Sequence, residues 1–123
     1  MTVNSSDFIN LAKSALESKD LNEIDIRSAG SRAYYGVYHK AREVIDNKEL
    51  TYAKLEKAGS HESLIMTIHR IGSQNSKTLA EAIRSLKRYR HLCDYHLADK
   101  VRKNHTQMKL LEAQKLIERL SRL

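Results

Sequence analysis

Proline is missing from this chain altogether, and glycine occurs only four times in 123 residues, as Gly30, Gly36, Gly59 and Gly72. Asn-Gly and Asp-Gly pairs are absent, as is any alternating apolar run long enough for a half-buried strand. Without that turn chemistry and period-two patterning, hairpins have no local support, so the elements must be few, long and helical. The lone cysteine, Cys93, excludes an internal disulfide framework and a thiolate zinc cluster. No apolar run approaches the ~18 residues of a membrane span, and no basic segment followed by an apolar one opens the chain. A Gly-rich phosphate loop is also lacking. These absences lead us to expect one cytoplasmic, all-α domain over residues 1–123, with no membrane contact, no metal site and no cofactor.

What is present fits that expectation. Apolar residues make up 41% and charged residues 30%, a balance that suits a globular helical fold. Apolar periodicity and caps predict five helices. The first spans about Ser6 to Ser18, with Phe8, Leu11, Ala12, Ala15 and Leu16 as its stripe. The second and longest spans Ile26 to Asn47, its stripe running through Ala29, Ala33, Val37, Ala41, Val44 and Ile45 with Tyr34 and Tyr38 beside it. The third spans Ser60 to Ile71 and stops at Gly72-Ser73. The fourth opens on a Thr78–Glu81 capping box and runs to about Ala98. The fifth spans Thr106 to Leu120. Glu49 to Gly59 follows no pattern. The natural packing is an up-and-down bundle of four main helices plus a shorter one.

One residue breaks the apolar pattern. On a helix turning about 100° per residue, Ile83, Leu86, Cys93 and Leu97 fall within about 40° of a stripe centred on Leu79, and so does Arg90. A guanidinium in a core-facing stripe is costly unless it is paired or lines a wet cleft. Asp94, one turn on, is the structural partner. A phosphate contact at a groove or dimer interface is the functional one. Charge is concentrated in the same region. Between Arg84 and Lys103 stand Arg84, Lys87, Arg88, Arg90, Lys100, Arg102 and Lys103 against Asp94 and Asp99, which is five of the seven net positive charges of the chain. Tyr89, Tyr95, His91, His96 and His105 interleave with them. Basic charge with aromatic platforms is the footprint of a polyanion site, nucleic acid above all, although most short charge runs are simply solvated faces.

The second helix carries a companion surface of Ser28, Arg32, Tyr35, Gly36, His39 and Glu43, where Gly36 permits the close approach of a helix or ligand. His91 and His96 are too far apart around a straight helix, by about 140°, to share a metal ion.

The stretch Arg27-Ser-Ala-Gly-Ser-Arg-Ala-Tyr-Tyr-Gly-Val-Tyr-His-Lys-Ala-Arg42 resembles the second-helix signature of HEPN domains. Gly59-Ser-His61 before an apolar helix is similar to the same family, as is Leu86-Lys-Arg-Tyr-Arg-His-Leu-Cys-Asp-Tyr95. The resemblance extends from about Leu11 to Leu120. It implies a HEPN-like bundle that pairs as a homodimer, and in ribonuclease members an arginine, four to six intervening residues, and then a histidine. Arg90 and His96 satisfy that spacing, while Asp94-Tyr95 matches a second branch of the family. The resemblance thus implies a metal-independent endoribonuclease of a toxin–antitoxin or defence system, partnered by a minimal nucleotidyltransferase. In it Arg90 would steady phosphate and His96 would transfer protons, with Arg32 and His39 lining the cleft. The alternative is a non-catalytic module binding a nucleotide, an RNA or a protein through Arg32, His39, Lys87, Arg88, Asp94 and Tyr95.

Overall fold

The computed structural model describes residues 3–123, which form α1 (Ser5–Leu16), α2 (Glu23–Asn47), α3 (Ser60–His69), α4 (Gln74–Tyr95) and α5 (Lys103–Ser121), with no strand among them. No described helix is long and apolar enough to cross a membrane. The five expected helices are all present, but their starts are set by caps that lie upstream of the apolar stripes. Asn4 caps α1 and Asn22 caps α2, each in a capping box with the aspartate three residues on. Ser73 caps α4, accepting from the Ser76 amide. The Thr78–Glu81 box does not form. Thr78 lies in the second turn of α4 and donates to the Gln74 carbonyl, while Glu81 pairs with Arg84. A better cap one turn upstream had already satisfied the orphan amides.

Two apolar assignments also change. In α1 the buried side chains are Ile9, Ala12 and Leu16, and Leu11 is 51% exposed, so the buried stripe is centred on Ile9 rather than on Phe8 and Leu11. Leu97 falls beyond the end of α4 and is 71% exposed, so it is no part of the buried stripe.

The centre of the bundle is α2, which packs against all four other helices. Its buried face, from Ala29 through Tyr34, Val37 and Ala41 to Ile45, meets Leu64, Ile65 and Ile68 of α3, Leu79, Ile83 and Leu86 of α4, and Leu110, Leu116 and Leu120 of α5. A smaller cluster of Tyr89, Cys93 and Val101 closes the α4–α5 turn, where the Tyr89 hydroxyl and Thr106 Oγ1 share a 2.6 Å hydrogen bond. The segment 49–59 is irregular, as expected. It leaves α2 through Glu49 at φ 55°. There the Glu49 and Leu50 amides answer the Asp46 and Ile45 carbonyls, a Schellman ending with glutamate in the left-handed position. Its middle is tied to α3, because the Ala53 amide donates to Thr67 Oγ1 and Ser63 Oγ donates to the Ala53 carbonyl.

Two glycines of α2 set helix separations. A Cβ on Gly36 would lie 2.9 Å from Ile9 Cδ1 and 3.2 Å from the Ser5 carbonyl, so the close approach expected there belongs to α1. A Cβ on Gly30 would lie 2.7 Å from Cys93 Sγ and 3.0 Å from the Tyr89 ring. Both neighbours are buried and short of room to move. Gly30→Ala should therefore lower stability by about 1–3 kcal/mol through overpacking. A urea midpoint equal to that of the wild type would contradict this placement of α4 on α2.

Candidate functional site

The basic region occupies the last turns of α4 and the turn that follows. Its geometry begins with Arg27, a buried residue of α2. The Arg27 guanidinium donates to the carbonyls of Leu92 (3.2 Å), Cys93 (2.9 Å) and His96 (3.2 Å), and to that of Asp99, while Nε reaches Glu23. The Cys93 carbonyl lies in the last turn, where the helix supplies no amide of its own, while those of Leu92 and His96 also accept from the His96 and Asp99 amides. The side chain thereby ends α4 at Tyr95 and holds the 96–99 turn in place.

Arg90 is buried too, at 8% exposure, but is satisfied in a different way. Its Cζ stands 5.4 Å from the centre of the Tyr34 ring and 5.7 Å from that of Tyr35, both on α2. Nη1 is 3.7 Å from Asp94 Oδ2, and Nε has no hydrogen-bond partner within the described residues. Aromatic faces and one loose carboxylate carry the charge, an arrangement worth about 2 kcal/mol per cation–π contact when desolvated. Asp94 also accepts from Ser31 Oγ at 3.2 Å. Behind Tyr34 lies His61 of α3, with Nδ1 2.6 Å from the Tyr34 hydroxyl. Burial pushes the Tyr34 phenol up, an effect that Arg90 opposes in part. Burial, then Arg90 and Lys87, push His61 below the usual histidine range.

His96 is the C-cap of α4, and its backbone leaves helical geometry at ψ 70°. The straight-helix separation of His91 and His96 therefore fails, and their ring centres lie 5.3 Å apart. The Tyr95 ring also neighbours His91, with ring centres 4.8 Å apart and planes tilted by 39°. No group of three ligating side chains suited to a metal ion occurs among the described residues. His96, His91, Arg88 and Lys87 border an open depression of about 480 Å³, closed at one side by Glu62 and Arg84. Glu62 is held by Arg84 (Nε, 3.2 Å) and Lys87 (3.2 Å). Burial opposes its ionisation, but those hydrogen bonds keep its carboxyl below the usual range.

Among the residues singled out from sequence, Lys87, Arg88 and His96 meet at one depression, and Arg90, Asp94 and Tyr35 meet behind it. Arg90 and His96 do not converge within the chain. Arg90 faces the α2 tyrosines, and the His96 ring sits with His91 and Asp99. His39 does not join them. It packs on Phe8 at 4.9 Å and borders a groove with Arg42 and Asp46, and burial followed by Arg42 lowers its pKa. Arg32 is exposed and makes no ion pair among the described residues. The roles of Arg27, Tyr34 and His61 escaped the sequence reading, although all three lie in the motifs that carry the HEPN resemblance. Cys93 is buried with its thiol pushed up to about 11, and Tyr89 is pushed up to about 12, in both cases chiefly by burial. The sequence matches no family model, and no curated protein is similar enough to count as a relative.

A titration follows from His61. Its neutral form is favoured in the folded chain, so the unfolded chain binds the proton more readily. The stabilisation is complete above the ordinary value near 6.5 and is lost as pH falls through the lower folded value. The urea midpoint should therefore drop on acidification below about pH 6.5, and His61→Gln should flatten that drop, with His39 supplying the remainder. Equal slopes for wild type and His61→Gln would contradict the assignment.

Proposed function

We propose that the chain is a HEPN-type module that binds RNA on its α4 face, as a pair of identical copies. The observation that carries this reading is the separation of the two arginine environments. Arg90 is enclosed by Tyr34 and Tyr35, away from His96, while Arg88, Lys87, His91 and His96 surround an open depression. A phosphate has cations to meet there, but one chain holds no arginine–histidine pair to act on it. Pairing rests on the HEPN resemblance, since Leu86 and Cys93 are already buried inside the chain.

The second reading is the metal-independent endoribonuclease of a toxin–antitoxin pair, with a small nucleotidyltransferase as partner. The exposure of His96 on the last turn favours it, because a symmetry-related copy can then supply the phosphate-steadying group. Fluorescence polarisation with labelled single-stranded RNA separates the two. Binding alone predicts retention at low salt, a steep loss with added salt, and a salt slope smaller by about 1 in Arg88→Ala. Cleavage that persists in excess chelator and disappears in His96→Ala would replace binding by catalysis. Light scattering should give a dimer at micromolar concentration, and a monomer there would contradict the pairing.

A further inference from the structure

Six tyrosines occur in the chain, and five have an evident structural use. Tyr34 bonds His61, Tyr38 accepts from Arg42, Tyr52 donates to Asp46, Tyr89 bonds Thr106, and Tyr35 lies against the Arg90 guanidinium. Tyr95 has none of these. Its hydroxyl has no hydrogen bond among the described residues, its ring is 64% exposed, and its one aromatic neighbour is His91, itself exposed.

The position is nevertheless rigid. Tyr95 is the last residue of α4, and the turn directly after it is clamped by Arg27 through the His96 and Asp99 carbonyls. That clamp also covers the negative end of the helix, which would otherwise repel a phosphate. Two turns upstream on the same face stands the exposed Arg88, and Lys100, Arg102 and Lys103 follow the turn. An exposed ring carried on a clamped stretch of backbone, next to a second ring and flanked by cations, is what an unstacked base requires. A base inside a duplex offers its faces only to its neighbours.

We infer that Tyr95, backed by His91, is a base-stacking platform that makes this surface prefer unpaired RNA. The inference rests on the RNA reading proposed above. The test compares a short labelled oligoadenylate, single-stranded or in duplex with oligouridylate, on the full chain and its variants at low salt. The single strand should bind more tightly than the duplex. Tyr95→Leu should weaken single-strand binding by about five- to a hundredfold and leave the duplex unchanged, and Tyr95→Phe should restore it. Arg88→Ala should weaken both forms alike. Helical content by circular dichroism verifies that each variant is folded. Unchanged single-strand affinity in folded Tyr95→Leu, or equal loss for both forms, overturns the platform while leaving RNA binding intact. Unchanged affinity with an altered oligomeric state would give the ring to a protein contact instead. If neither RNA form binds the wild type, both the platform and the RNA reading are defeated.

Discussion

The Arg27 guanidinium gathers four carbonyls from the end of α4 and the turn after it, and much of the rest is arranged around that contact. Hydrogen bonds to a charged donor contribute about 1.5–3 kcal/mol each, and a buried guanidinium left without them is strongly destabilising. The carbonyls of Leu92, Cys93, His96 and Asp99 therefore pin α4 to α2 at one end, while the apolar core holds it at the other. The end of α4, the departure of His96 from helical geometry and the short span between His91 and His96 all follow from it.

Two buried arginines thus receive opposite treatment. The hydrogen-bonding capacity of Arg27 is spent on backbone and Glu23, which makes it a structural cation. Arg90 rests on the faces of Tyr34 and Tyr35 with Asp94 at a loose 3.7 Å and Nε unpartnered. Ring faces hold a cation without consuming its donors, so Arg90 keeps hydrogen-bonding capacity that Arg27 has given up. A polar group buried in that state is costly, and the cost falls on a site whose surroundings are the most basic of the chain.

The helical class was legible because absences and periodicity are local properties. The lack of proline and the period of α2 through Ala33, Val37 and Ala41 needed no tertiary knowledge, and Gly72 marked the turn after α3 correctly. The misplaced arginine of α4 was legible for the same reason. Helix starts were less so, since Asn4, Asn22 and Ser73 stand outside the apolar stripes that drew attention to Ser6, Ile26 and Thr78. The least legible features were those with distant partners. Arg27 meets carbonyls 65 to 72 positions away, and His61 meets Tyr34 across 27. No spacing rule within one helix reports such pairs. The same distance misled the reading of His91 and His96, because the residue that ends α4 between them sits on another helix.

The gap at Gly30 has a bearing on how this sequence is free to diverge. The sulfur of Cys93 occupies the volume that a side chain at position 30 would take, 2.7 Å from where its first carbon would stand. The two positions therefore share one allowance of volume. A side chain at position 30 is accommodated best with a smaller residue at 93, and in homologous chains the two should drift together as a coupled pair.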